Sequence, residues 1–157
     1  NEGLVCYDLD MTEKICEAIR KEIGDTPLIV KIGYYRNEED IKKVSVIVEK
    51  YAQAVACINT MQAEVVDAEG KQALPGANRL RSGIAGAGIK WAGLDMTERL
   101  AKLREELGMK FAIVGVGGVS SAEDYKNYKN SGADAVMSAT GAMWNPMLAQ
   151  EVKKNLR

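Results

Sequence analysis

Four short apolar runs, separated by amphipathic stretches of helical length, constrain this chain more than any other feature. They are PLIVKIG (27–33), AVACINT (54–60), FAIVGVGG (111–118) and DAVMSATG (134–141). Each is nearly continuous in apolar character, the pattern of strands covered on both faces of a parallel sheet. Between them the sequence predicts helices. DMTEKICEAIRKEIG (10–24) offers Asp10 or Thr12 as a cap and stops at Gly24. NEEDIKKVSVIVEKY (37–51) carries acids in its first turn, where the helix dipole favours them. DMTERLAKLREELG (95–108) and SAEDYKNYKNSG (121–132) both end on glycine, and a last helix is expected over about 143–156. Alternation of this kind predicts right-handed βαβ crossovers and a parallel sheet. The exception is 61–94, which reads as a long inserted loop, and loops of that length are usually functional.

The expected fold class is therefore α/β, with four parallel strands and flanking helices, one half of a (βα)8 TIM barrel. The chain of 157 residues reads as a single partial barrel domain, 1–157, too short for the whole barrel. An open half-barrel leaves two sheet edges and an inner face to be covered. The chain also starts at Asn1 without a methionine. A fragment completed by a missing N-terminal half-barrel is the favoured expectation, with closure by a second copy, a homo-oligomer, as the other.

A net charge of −1 implies no general attraction to nucleic acid or anionic membranes. No apolar run approaches the ~20 residues of a membrane span. Three scattered cysteines, Cys6, Cys16 and Cys57, are too few for a disulfide framework and suit reduced thiols in a cytoplasmic protein. Histidine is absent, which removes histidine bases, triads and metal ligands.

In a (βα)8 barrel the active site forms at the C-terminal ends of the strands. Here those ends carry Lys31, Asn59 and Thr60, Gly117 and Gly118, and Ala139, Thr140 and Gly141. Lys31 is either a functional ammonium at the barrel mouth or a surface lysine reaching off a strand, and the apolar setting favours function. Gly117 and Gly118 are not a Rossmann fingerprint, because Ser120 stands where its third glycine belongs. They either make a tight turn or expose backbone N–H groups to a phosphate. A second turn, SATG (138–141), supplies Thr140 on the next strand and tips the balance to phosphate. Asn59 and Thr60 suit a planar polar ring or simply cap a strand end. SGIAGAGIKWAG (82–93) has no long side chain from Gly83 to Gly88 apart from Ile84, so its backbone can lie against a flat ligand or serve as a linker. Cys6 and Cys57 lack an activating base and read as inert buried thiols.

Taken in order, PLIVKIG, CINT, GIAGAGIK and VGVGGVSSAEDYKNYKNSGADAVMSATG closely resemble the C-terminal half of dihydroorotate dehydrogenases. YDLDMTEKICEAIRKEIG resembles the helix that precedes the strand bearing that family's flavin lysine. The resemblance implies an FMN-dependent oxidation of a dihydropyrimidine, dihydroorotate to orotate, in pyrimidine biosynthesis. It implies that Lys31 approaches the flavin and stabilises charge on the reduced ring, and that Ile58 and Gly86 contact the cofactor. Gly117, Gly118, Ala139 and Thr140 would hold the FMN phosphate, while Asn59 and Thr60 would hydrogen-bond the pyrimidine. The family's base, a Cys or Ser, is expected upstream of residue 1, so no catalytic residue is assigned within the chain. Ala139, Trp91 after Lys90, and the 61–82 segment depart from the family pattern, and dihydropyrimidine dehydrogenase is a close relative. Two rivals stay open at this point. One is a flavin-free barrel acting on sugar phosphates, with Lys31 as an imine-forming or acid/base lysine; the other is a noncatalytic half-barrel that self-associates.

Overall fold

Strand and helix alternate as the apolar runs require. The computed structural model describes residues 4–156, so Asn1 lies outside it. The strands are β1 (Ile29–Ile32), β2 (Ala54–Cys57), β3 (Met61–Glu64), β4 (Arg81–Ile84), β5 (Ala112–Val116) and β6 (Ala135–Met137). The four strands drawn from the apolar runs form one parallel sheet in the order β1-β2-β5-β6. Helices α1 (Leu9–Ile23), α2 (Glu38–Tyr51), α3 (Lys90–Glu106) and α4 (Ala122–Asn130) alternate with these strands, and α5 (Thr140–Trp144) and α6 (Leu148–Lys154) follow. Four strands with flanking helices is half of a (βα)8 barrel. Among the described residues no helix is long and apolar enough to cross a membrane.

Successive side chains of a strand point to opposite faces, and the two faces of this sheet differ. Toward the helices, Ile32, Val55, Cys57 and Ile113 pack with Ile41, Val44 and Val48 of α2 and with Ala92, Met96 and Leu100 of α3. Eight of these are 0% exposed, and for the six large ones, Ile41, Val44, Val55, Met96, Leu100 and Ile113, each burial is worth roughly 1.5–3 kcal/mol. Toward the concave side, Ala54, Ala56 and Val114 form a small cluster flanked by Ala112 and Val116. Strand register sets Lys31, Ala56, Val114 and Ala135 in one row on that side.

Helix α4 is fixed by a wedge. Tyr128 is fully buried, and a Cβ at Gly93 of α3 or Gly115 of β5 would overlap its ring. Small residues on two neighbouring elements thus make room for one large aromatic.

Several boundaries differ from those expected. The cap of α1 is Asp8, which accepts from the Met11 amide at 2.9 Å, in place of Asp10 or Thr12. Thr12 instead turns its hydroxyl to the Val5 carbonyl. The segment 61–94 is no structureless loop: β3 and β4 pair as an antiparallel hairpin, a 3₁₀ turn covers Gly86–Ile89, and α3 already starts at Lys90. The last helix is two, because Pro146 has no amide to donate between α5 and α6.

Candidate functional site

A cleft of about 130 Å³ opens at the C-terminal ends of β1, β2, β5 and β6. Lys31, Ile58, Asn59, Thr60, Gly117, Gly118, Ala139 and Thr140 all line it. The structure therefore brings together eight residues that span more than a hundred positions of sequence. Gly86 is not on the lining but stands just behind it: a Cβ there would lie 3.6 Å from the Thr140 methyl. Ala85, Ile89, Val116, Val119, Ser138 and Gly141 complete the wall.

The β5–α4 turn is held from outside by α4. The Tyr128 hydroxyl donates to the Gly117 carbonyl at 2.7 Å. One helical turn earlier, Asp124 accepts from the Ser120 amide and the Ser120 hydroxyl, both at 2.9 Å. Ser138 crosses from the next strand and donates to the Val119 carbonyl at 2.6 Å. Two carbonyls of the turn are thus consumed by hydroxyls. The amides of Gly118 and Val119, by contrast, have no hydrogen-bond partner among the described residues, and neither do those of Ala139 and Thr140. A concavity with two of its carbonyls occupied and these amide donors free favours an anion.

Glycine is required in this turn. Gly117 and Gly118 have φ of 133° and 68°, conformations that L side chains rarely adopt. A Cβ on Gly118 would also come within 2.7 Å of the Lys90 Cβ and 3.0 Å of the Gly86 carbonyl oxygen. The strand end and the start of α3 approach too closely for any other residue. Gly141 has the same tightness against the backbone of Val119 and Ser120, which brings the SATG turn against the first.

Asp124 is buried beside this turn, and Lys90 reaches it at 2.5 Å. Burial alone would raise the carboxyl, but the Lys90 ammonium and the hydrogen bonds from Ser120 outweigh it and hold the pKa at about 2. Lys31 sits at the opposite wall. It is exposed and forms no ion pair among the described residues, so the desolvated, partnered lysine that an apolar strand suggests is not found. Its ammonium is free to meet a ligand.

Asn59 and Thr60 follow β2, the Asn59 amide bonding the Ile32 carbonyl at 2.8 Å and thereby tying the loop back to β1. Thr60 packs against the hairpin where Gly83 leaves no room for a side chain. The cysteines take no part in the cleft. Burial pushes the Cys57 thiol up to about 11, against a weaker opposing hydrogen bond with Thr97, and raises Cys6 and Cys16. All three are free thiols.

Sequence reasoning missed the supporting set of Ser138, Asp124, Tyr128 and Lys90. Ser138 was within reach, as part of SATG beside the chosen Thr140. The others lie on helices α3 and α4, and only tertiary packing shows that they hold the turn.

The sequence model of the dihydroorotate dehydrogenase family matches residues 4–157. This chain belongs to that family. A dihydroorotate dehydrogenase of Dictyostelium discoideum is 33% identical over 98% of the chain, which covers 42% of that relative. The catalytic subunit of dihydroorotate dehydrogenase B (NAD(+)) from Solidesulfovibrio magneticus is 31% identical over 93% of the chain and 45% of its own length. The chain thus spans less than half of the curated relatives it matches. Among solved structures, that of the dihydroorotate dehydrogenase of Eimeria tenella in complex with ferulenol superposes with a TM-score of 0.73 at 18% identity. It is matched over 94% of this chain and 43% of that one, and it supports the fold. The shared fold accounts for the parallel sheet order and for a cleft at the strand ends.

Proposed function

We propose that this chain supplies the flavin-phosphate half of a dihydroorotate dehydrogenase site that oxidises dihydroorotate to orotate with FMN. The observation that carries it is the pair of turns at 117–120 and 138–141, whose residues line one cleft and leave four amides without a partner among the described residues, in a chain of this family. The residues present fit FMN on chemical grounds: unpaired backbone donors suit a phosphate dianion, and the glycines let the two turns that carry those donors approach closely, where a Cβ at Gly118 or Gly141 would overlap neighbouring protein atoms. The cleft is smaller than the ~300–1,000 Å³ of pockets that enclose a drug-sized ligand, as suits one side of a shared site.

FMN, when bound, supplies the hydride acceptor. Gly118, Val119, Ala139 and Thr140 bind its phosphate through backbone N–H groups. Ile58 offers an apolar surface beside them, and Gly86 supports the wall from behind. Lys31 places a positive charge at the far end of the cleft, where it favours negative charge developing on a ring system. Asn59 and Thr60 present paired donors and acceptors to a pyrimidine. The proton-accepting Cys or Ser comes from the other half of the barrel, so this chain by itself holds cofactor without turning over.

The test measures flavin absorbance and dihydroorotate oxidation by the 157-residue chain, alone and joined to an N-terminal half-barrel of the family. FMN binding by both forms with turnover only in the joined form is expected. Turnover by the chain alone would overturn the division of labour, and no FMN binding by either form would overturn the flavin reading.

A further inference from the structure

We infer that the Lys90–Asp124 ion pair is a positioning device that makes the Gly117–Ser120 turn selective for a phosphate-bearing ligand, Lys90 acting by neutralising Asp124 without touching the ligand. The inference rests on the flavin reading above and deepens it. Asp124 is required structurally, since among the described residues it alone holds the Ser120 amide and hydroxyl while Tyr128, four residues on, holds the Gly117 carbonyl. These two anchors on one face of α4 fix both ends of the turn and leave the intervening amides of Gly118 and Val119 unpaired among the described residues.

The arrangement carries an electrostatic conflict. A carboxylate with a side chain only 6% exposed stands directly behind a turn that is to receive an anion. Uncompensated, it would repel a phosphate and carry the cost of a buried charge. Lys90 resolves both problems. Its Nζ lies 2.5 Å from Asp124 Oδ1, the oxygen that Ser120 does not use. Its own backbone is pressed against Gly118, so the lysine that neutralises the carboxylate also forms the wall of the turn. The pair therefore links α3, α4 and the β5–α4 turn at one point. With its only ion-pair partner among the described residues at this distance, Lys90 is committed to Asp124.

The experiment compares the affinity of the full chain for FMN and for riboflavin, which lacks the phosphate, by quenching of flavin fluorescence. Lys90→Met leaves Asp124 unpaired, and its preference for FMN over riboflavin is expected to fall by at least about tenfold. Lys90→Arg keeps the charge and is expected to hold the preference within about threefold. The double variant Lys90→Met/Asp124→Asn removes both charges while the introduced amide oxygen still accepts from Ser120, and most of the lost preference is expected to return. That variant also keeps the test decisive if the single one fails to fold. A double variant that binds riboflavin but stays as poor toward FMN as Lys90→Met would mean that Lys90 meets the phosphate itself, and would overturn the inference. An unchanged preference in Lys90→Met would overturn it too. Wild type that binds neither flavin removes the flavin reading and this inference with it, an outcome readily told apart from the others.

Discussion

The two faces of the parallel sheet are built to opposite ends. The face toward α2 and α3 is filled by large aliphatic side chains that solvent does not reach, among them Val55, Ile113, Met96 and Leu100. The concave face is lined mainly by alanines and valines, carries a lysine in its central row, and leaves Ile29 and Met137 at its edges more than half exposed. Stability is concentrated on the first face, and the cleft opens at the rim of the second. The residues of the site are consequently free to be glycines, amides and a lysine without an ion-pair partner among the described residues, none of which would serve as core.

Adjacent residues of β5 give the sharpest way to break this contrast. Ile113 faces the helices and Val114 the concave side. Ile113→Ala is expected to lower unfolding free energy by about 2–5 kcal/mol in urea titrations, the usual cost of a large cavity in a packed core. Val114→Ala is expected to cost about 1 kcal/mol, since it loses only two methyl groups from a small cluster made mostly of alanines. Equal losses would show that the concave face is as well packed as the other. Flavin preference should change far less than stability in Ile113→Ala, since Ile113 does not line the cleft.

At the rim the cost comes from the backbone. Gly118→Ala forces a left-handed backbone on a residue with a Cβ, about 1–2 kcal/mol, before its overlap with the Lys90 backbone is counted. FMN binding should suffer more than stability, because the turn must shift to relieve the overlap. If FMN affinity survives while stability falls, the turn holds shape without serving as the phosphate site.

Acid titration probes the support behind the rim. The Asp124 carboxyl is held at about 2, below its ordinary 3.8, so the folded state binds its proton more weakly than the unfolded chain does. The stabilisation is fully present above about pH 4 and is lost as pH falls toward 2. Asp134 is lowered as well: burial opposes it, but the Ile113 amide and Arg104 prevail, so it contributes in the same acid range. Asp124→Asn should therefore flatten the acid limb of the stability profile without abolishing it, as read by thermal melts between about pH 2 and pH 5. A profile unchanged by the substitution would mean that Asp124 is not the paired group.

The same contrast explains what could be read in advance. The four sheet strands were legible because both their faces are apolar, and the cleft was legible because chemistry-bearing residues recur where those runs end. The hairpin was not. MQAE and RSGI lack β-branched alternation, and both strands alternate between exposed and half-buried positions, so no hydrophobic period marks them. Helix α3 was expected to start at Asp95, five residues late. Its cap at Ile89 makes no side-chain hydrogen bond, and Gly93 reads as linker until Tyr128 is seen to require it. Lys90 and Asp124 are 34 positions apart on elements whose crossing no local pattern encodes. Local rules fail where a residue's role is to support another.

Lys31 supplies the last and smallest stability effect, and the most informative pairing with Ile113. Both lie on strands of one sheet, yet Lys31 points to the concave side, is exposed, and forms no ion pair among the described residues. Replacing it with methionine breaks no partner and opens no cavity, so unfolding free energy is expected to move by no more than about 0.5 kcal/mol. The chemical consequence runs the other way. A cation beside a ring that gains negative charge on reduction binds the reduced state more tightly, and its loss lowers the midpoint potential. Lys31→Met should therefore leave urea unfolding almost unchanged while shifting the bound flavin's potential downward, read by anaerobic dye equilibration in the joined barrel. A large stability loss with an unmoved potential would place Lys31 among the structural residues. It would also erase the division between a face that holds the chain together and a face that meets the ligand.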